Sequence, residues 1–415
     1  MARLRASRWN WPRLGTASAL LLVASALAVG PAAAATARYA SPSGSGTACT
    51  AANPCALQTA ISGAAAGDDV NVLARRGDYH FNADLVTDIS VPIHIHGVNG
   101  RPRLLFASGE LKVIAATAQN LYVQGNSGKT AVAFEDGAIA DRIVVTGGSG
   151  QHACYIRGSK LTNSICAAAS SGDIAIESDS SNIFRNDTFV GGTEAALKAF
   201  GRSSDCSCSA AKDTLVNVIA RSAAGGVDLD ANSDGTATMN IAARYSNYGT
   251  TSKTGAGAPT MTTITVDATD QHASPTFVNR TAHDLHQTPG SPTINAGLNS
   301  SANGSRDVDA NARILGARTD IGADEFVPPP GTKITKSTIR PGRHKASFAF
   351  AAIGRASGFQ CTLQRVNPRR PQPAFSSCSS PKTYRQLKAG TYRFKVRARS
   401  SSGVDRTPAK KRFTI

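Results

Sequence analysis

Four asparagines recur along the middle of this 415-residue chain with a regularity that ordinary loops do not show. Asn163 in "NSIC", Asn186 in "NDTFV", Asn217 in "NVIA" and Asn240 in "NIAA" each precede a short apolar burst. The first and last intervals are 23 residues; the middle one is 31 and contains "DCSC", so it reads as the same unit with an inserted loop. Other brief apolar runs lie around them, such as "LYVQG", "IVVTGG" and "DIAIESDSS", cut by Gly, Ser, Asn and Asp. Short strands divided by turn residues at a fixed period indicate repetition, and about 20–23 residues suffice for three strands and three turns of a parallel β-helix coil. Stacking places equivalent residues about 4.8 Å apart. The four asparagines are therefore expected to form a structural ladder, hydrogen-bonded from coil to coil, because a buried amide without a partner is costly. A barrel or sandwich would show longer alternating strands and tight Asn-Gly hairpins, which are not prominent here.

The two ends of the chain differ from this body. Arg3, Arg5, Arg8 and Arg13 precede an apolar run from Ala17 to Val29 and an A-x-A-like site at Ala35-Thr36-Ala37. That is the pattern of a signal peptide over 1–37 and predicts an exported, extracellular or wall-associated bacterial protein. No later apolar run approaches the roughly 18–20 residues of a membrane span. "VPPPG" at 327–331 predicts a semi-rigid linker. Beyond it, residues 332–415 hold 20 Lys/Arg and a single acid, Asp405, a net +19 in a chain whose total is +17. Residues 38–331 carry −6. Such asymmetry predicts an anionic partner for the basic part.

The eight cysteines fall into local couples: Cys49 with Cys55, Cys154 with Cys166, Cys206 with Cys208, and Cys361 with Cys378. An even count in an exported chain favours disulfides without fixing their connectivity. A Cys206–Cys208 bridge would close a strained loop, so a staple and free thiols both stand for that couple.

Two stretches carry a family resemblance. "YASPSGSGTACTAANPCALQTAISGAAAGDDVNVLARRGDY" resembles the N-terminal cap of secreted bacterial right-handed parallel β-helix proteins of the pectin-lyase-like type. "SPTINAG…DVDANARILGARTDIGADEF" (291–326) is similar to the closing segment of β-helix proteins called choice-of-anchor Q proteins. The resemblance implies an all-β chain with a right-handed, single-stranded parallel β-helix over 38–326. After the linker, alternating strands over 332–415 predict a small β-sandwich. This module resembles an immunoglobulin-like or fibronectin-III-like repeat, whose cysteine pattern pairs Cys361 with Cys378 across a loop of about 17 residues.

Candidate chemistry is sparse. In "DLDANSDG", Asp230, Asn232 and Asp234 open a Ca²⁺-loop pattern with Gly235 at the turn, although Ile241 stands where a bidentate Glu belongs. The alternative is a polar turn between coils. "IHIHG" predicts His94 and His96 outside and Ile93 and Ile95 inside; "HDLH" (283–286) and "DVDAN" (307–311) read as surface and turn residues. The ordered motifs of β-helix polygalacturonases are missing, and "HG" at 96–97 stands alone. In "TYRFKVRARS", period two puts Tyr392, Phe394, Val396 and Ala398 on one face and Arg393, Lys395, Arg397 and Arg399 on the other. The second face is either solvated or meets a polyanion. The expectation is thus a non-catalytic surface protein binding an anionic polysaccharide or cell-envelope polymer through its basic module. The alternative is a carbohydrate-active enzyme, a lyase with Ca²⁺ or a glycoside hydrolase, acting on an acidic polysaccharide. Nucleic acid is disfavoured because Tyr392 and Phe394 fall on the inward phase, leaving no stacking platform.

Overall fold

The computed structural model describes residues 35–415 apart from 75–76, 127, 129, 148–151, 170–171, 207–208, 368–369 and 401. The expected signal segment, up to residue 34, lies outside the described residues, as do Cys208 and the side chain of Cys206.

The body is a parallel β-solenoid of about eight turns. It is right-handed, the sense that right-twisted strands impose on parallel crossovers. Three long sheets run along it: a first sheet of ten strands, a second of seven and a third of eight. Each coil visits the third, first and second sheets in that order. The inward residues of each strand stack on their equivalents in the neighbouring coils. On the first sheet the column is Val70, Ile95, Ala118, Ala140, Leu161, Phe184 and Leu215. On the second it is Leu104, Val123, Val145, Cys166, Phe189 and Ala220. These columns belong to one continuous buried cluster. Cys154, on the third sheet, is bridged to Cys166, on the second, so that disulfide crosses the interior of a coil. Cys49–Cys55 and Cys361–Cys378 are bridged as well.

The turn between the first and second sheets is a sharp corner whose first residue has a left-handed backbone. It is occupied by Asn120 (φ 56°), Arg142 (55°), Asn163 (51°), Asn186 (53°), Asn217 (57°) and Tyr245 (49°). Asparagine tolerates this region better than most residues. The Asn217 amide donates to Asn186 Oδ1 at 2.9 Å, and the Asn186 amide donates to Asn163 Oδ1 at 3.0 Å. The ladder therefore holds for Asn163, Asn186 and Asn217. Asn240 does not belong to it: it lies within strand Thr238–Arg244, opposite Lys212, and Tyr245 takes its corner. A second rail runs beside the first, in which side-chain oxygens accept corner backbone N–H groups. Ser164 Oγ accepts from Ile143, Asp187 Oδ1 from Ser164, and Ser246 Oγ from Val218. The long interval between Asn186 and Asn217 is explained by an insertion between strands Ala195–Gly201 and Ala210–Val216, which includes a short helix at Ser203–Cys206.

Residues 291–326 fold back along this corner and the second sheet. The Asn163 and Asn186 amides both donate to Asn303 O, and the Asn217 amide to Leu298 O. Arg313 is 2% exposed and saturated. Its guanidinium meets Glu325 at 2.8 Å and donates to Thr319 Oγ1, Asn163 Oδ1 and the carbonyls of Ala323 and Gly322. Asp307, fully buried, accepts from the backbone N–H of Asp309, Asn311 and Glu325, so it fixes the turn as its sequence suggests.

Beyond the solenoid two antiparallel sheets share one apolar cluster of Phe348, Phe350, Cys361, Tyr392, Phe394, Val396 and Phe413. The smaller has three strands, beginning with Gly331–Arg340, whose first residue falls inside the expected linker. The larger is built around Gly358–Asn367 and Thr391–Ser400.

The corner makes a differential prediction. Asn186→Ala is expected to destabilise the protein by roughly 2–4 kcal/mol, from unpaired buried partners and an unfavourable φ. Asn186→Gly, which keeps the φ, should cost about 1 kcal/mol less. Asn240→Ala should stay within about 1 kcal/mol. Urea-unfolding midpoints measure all three, and equal losses at 186 and 240 would contradict the assignment.

Candidate functional site

Three polar constellations lie outside the core. The first covers the outer face of the third sheet. Register aligns Lys112, Ala133, Tyr155, Glu177, Lys198 and Asp230 in one column and Ile114, Glu135, Arg157, Asp179, Phe200 and Asn232 in the next. Among the basic residues on solenoid strands, Arg157 and Lys198 share this face; Arg185 and Arg244 end strands of the first sheet and Arg221 a strand of the second. The cations here already have carboxylate partners. Lys112 and Arg157 each approach Glu135 at 2.6 Å, Lys198 meets Glu194 at 2.7 Å, and Arg202 reaches Asp179 at 3.5 Å and Glu177 at 3.7 Å. His152 Nδ1 lies 3.3 Å from Glu177, and the Tyr155 hydroxyl donates to Asp179 at 2.8 Å. Burial raises the Glu177 carboxyl, but the His152 hydrogen bond and the neighbouring cations outweigh it and hold the group below its usual range. Burial pushes Asp230 the other way, above its usual range.

Of the expected Ca²⁺ residues, Asp230 and Asn232 sit at the end of this face on one shared hydroxyl, and Asp234 turns away from them. Asp230 and Asn232 lie on strand Val227–Ser233, where alternate residues are about 7 Å apart. Both bond Thr254 Oγ1, at 2.9 and 2.7 Å. Asp234 turns to the backbone N–H and hydroxyl of Thr236. A D-x-N-x-D pattern has the period of a strand as well as that of a Ca²⁺ loop, and the strand prevails here. His94 is exposed against Thr117, with Ile93 and Ile95 buried, as expected.

The second constellation joins residues that the sequence reading kept apart. His286, on strand Asp284–Gln287, bonds Asp284 Oδ1 through Nδ1 at 2.5 Å and Asp309 Oδ2 through Nε2 at 2.6 Å. Asp309 also meets Arg101 at 3.4 Å, and Asp324 lies close by. Asp309 thus ties the closing segment to an early coil instead of fixing its own turn. Among the described residues, His286, Asp309 and Asp324 are the one group whose ligand atoms come within 4.8 Å of each other. Nothing in their spacing reveals this, because three separate segments of the chain supply them. The hydrogen bonds from Asp309 and Asp284 outweigh burial and push His286 up to about 10.

The third constellation is the outer face of the larger C-terminal sheet. On Thr391–Ser400 the alternation holds: Tyr392, Phe394, Val396 and Ala398 are buried, and Arg393, Lys395, Arg397 and Arg399 point out. The neighbouring strand Ala409–Thr414 adds further cations in register, Arg412 opposite Arg393 and Lys410 opposite Lys395. The other neighbour offers only Gln364, Thr362 and Gln360 opposite Arg393, Lys395 and Arg397. Lys395 Nζ donates to Gln372 Oε1 at 2.6 Å and Arg397 Nε to Gln360 Oε1 at 2.9 Å, while the Arg397 guanidinium lies 4.2 Å from the Phe375 ring centre. Among the described residues no carboxylate meets any of these six cations. The lone acid, Asp405, is buried and accepts from Thr407.

No family model and no curated protein matches the chain. Solved structures with a similar outline include pectate lyase Pel9A, at 11% identity and a TM-score of 0.39, covering 70% of this chain and 96% of that one. Another is a pectin methylesterase from Aspergillus niger, at 13% identity and a TM-score of 0.32, covering 62% and 95%. A third is chitinase ChiW from Paenibacillus sp., at 12% identity and a TM-score of 0.18, covering 81% of this chain and 24% of that one. The likeness extends to no residue role. Among the described residues no helix is long and apolar enough to cross a membrane.

His286 makes the closing contact pH-dependent. A folded-state value raised from 6.5 to about 10 contributes stability that is complete below about 6.5 and lost as pH rises through about 10. The melting temperature of the wild type should therefore exceed that of His286→Asn by more at pH 6 than at pH 10.5. A difference independent of pH would contradict the ion-paired arrangement.

Proposed function

We propose that this is an exported protein that binds an anionic polysaccharide or envelope polymer through the outer face of an immunoglobulin-like C-terminal module, with the solenoid as its rigid support. One observation carries the reading: Arg393, Lys395, Arg397, Arg399, Lys410 and Arg412 share a face without a carboxylate, whereas Lys112, Arg157 and Lys198 on the third solenoid sheet each meet one. Like charges directly opposite across a strand pair destabilise it. Arg393 with Arg412 and Lys395 with Lys410 form two such pairs. A polyanion laid along the sheet removes that repulsion, so binding and stabilisation go together.

Changing Arg393, Lys395, Arg397 and Arg399 to Gln should weaken binding to polygalacturonate or poly(glycerol phosphate) by roughly tenfold or more, at about 0.2–1 kcal/mol per exposed contact. Wild-type binding should also fall with added salt. Separately, Lys410→Gln with Arg412→Gln should raise the melting temperature of the free protein and shrink the rise caused by polymer. Unchanged affinity in the fourfold variant would overturn the proposal.

A second reading rests on the third sheet. Glu177 and Asp230 stand two coils apart in one column with Lys198 between them, so their backbones are ~9–10 Å apart along the axis. Glu177 is held below its usual range and Asp230 is raised above it, the pairing of a base and an acid that glycoside hydrolysis with inversion uses. This reading predicts new reducing ends from an acidic polysaccharide and their loss in both Glu177→Gln and Asp230→Asn. A product with unsaturated ends would indicate a lyase instead.

A further inference from the structure

The C-terminal module carries a second basic feature, remote in sequence from the strand face and different in shape. Strand Gly331–Arg340 passes into Lys345–Ile353 through a tight turn at Pro341–Arg343, closed by His344 in the left-handed region at φ 47°. Opposite it runs the segment 385–388, with Gln386 at φ 53°. The two are laced together. Leu387 N donates to His344 O at 3.0 Å, His344 Nδ1 bonds Leu387 O at 2.9 Å, and the Tyr392 hydroxyl donates to Lys388 O at 2.7 Å. Leu387 also packs on the module's apolar cluster. Between the turns lies a concavity of about 500 Å³, lined by Arg343, Lys345, Arg385 and Lys388 around His344 and Leu387.

The charge of this concavity is unbalanced. Among the described residues none of the four cationic side chains has an ion pair or a hydrogen bond, and the only acid of the module, Asp405, is engaged elsewhere. Four positive charges around one opening favour an anion carrying more than one negative charge. A single carboxylate offsets one of them. A phosphate monoester, at about −1.5 to −2, offsets up to half, and its oxygens match the bidentate fork of the two arginines. The concavity is open to solvent on one side, so a phosphate held there can stay attached to a larger carrier.

We propose that this concavity is a binding site for a phosphate group carried on a larger molecule, distinct from the strand face that holds polymer. Arg343 and Arg385 grip the phosphate, Lys345 and Lys388 complete its neutralisation, and Leu387 supplies an apolar floor for the carrier. The carrier is either a free phosphorylated sugar or the phosphate of a polymer, and the two share this recognition.

Calorimetric titration of the full mature chain with inorganic pyrophosphate, at constant ionic strength, tests the site. Saturable binding is expected, weakened at least tenfold in Arg343→Gln/Arg385→Gln and unchanged in Arg393→Gln/Lys395→Gln. Arg343→Lys/Arg385→Lys keeps the charge but lacks the fork and should fall between. Galacturonate should show no saturable binding. Competition then separates the carriers: displacement by glucose 1-phosphate alone points to a sugar phosphate, and displacement by poly(glycerol phosphate) alone to a polymer. Absence of saturable pyrophosphate binding, equal binding of galacturonate, or full binding by the double Gln variant would overturn the proposal. The strand-face variants bear on the polymer reading alone, so either can fail without the other.

Discussion

The structure depends on one small group, the carboxamide of a corner asparagine. A left-handed residue at the turn between the first and second sheets lets the chain change direction within two residues. Only a side chain that tolerates that backbone and also donates and accepts can stack there indefinitely. Asn163, Asn186 and Asn217 do both. Fixing that corner fixes the register of all three sheets, because a slip of one residue would turn each inward column out to solvent. The inward residues Leu161, Phe184 and Leu215, and Cys166, Phe189 and Ala220, stack in the coils that it joins. The charged columns on the third sheet align in the same way.

That alignment separates two ways of carrying charge. On the solenoid, acids and bases of successive coils meet one another, as Lys112 and Arg157 meet Glu135. Their energies are spent internally, and the face presents dipoles and ion pairs more than net charge. The C-terminal sheet has cations in adjacent strands with amides or other cations opposite. Its field extends outward to about a Debye length, some 8–10 Å in ordinary salt. The difference reflects composition, since a module with one buried acid cannot neutralise itself.

Period explains what the sequence disclosed and what it concealed. Asn163, Asn186 and Asn217 were legible because stacking demands recurrence, and so was the alternation from Tyr392 to Arg399. Asn240 misled because a 23-residue interval matched by coincidence; the actual coil from Asn217 to Tyr245 is longer, with Gly225 and Gly226 in its turn. Asp230, Asn232 and Asp234 are ambiguous in sequence because one alternating pattern serves both a strand and a metal loop. The meeting of His286, Asp309 and Arg101 was illegible: 208 residues separate Arg101 from Asp309, and no local pattern encodes such a contact. The second rail of Ser164, Asp187 and Ser246 carries no sequence signal because different residue types share one role.

Arg313 gives the fold a direction in time. Its guanidinium completes the hydrogen bonding of Asn163, and the carbonyl of Asn303 serves Asn163 and Asn186 together. A chain emerging from its N-terminus can stack coils on nearest neighbours, but those corners wait for residues more than a hundred positions later. Until that buckle arrives the growing rod is shaped but unfastened. Without it the corners keep one another but lack the Arg313 guanidinium and the Asn303 carbonyl, so the closing segment seals a seam that lies far upstream of it in the chain.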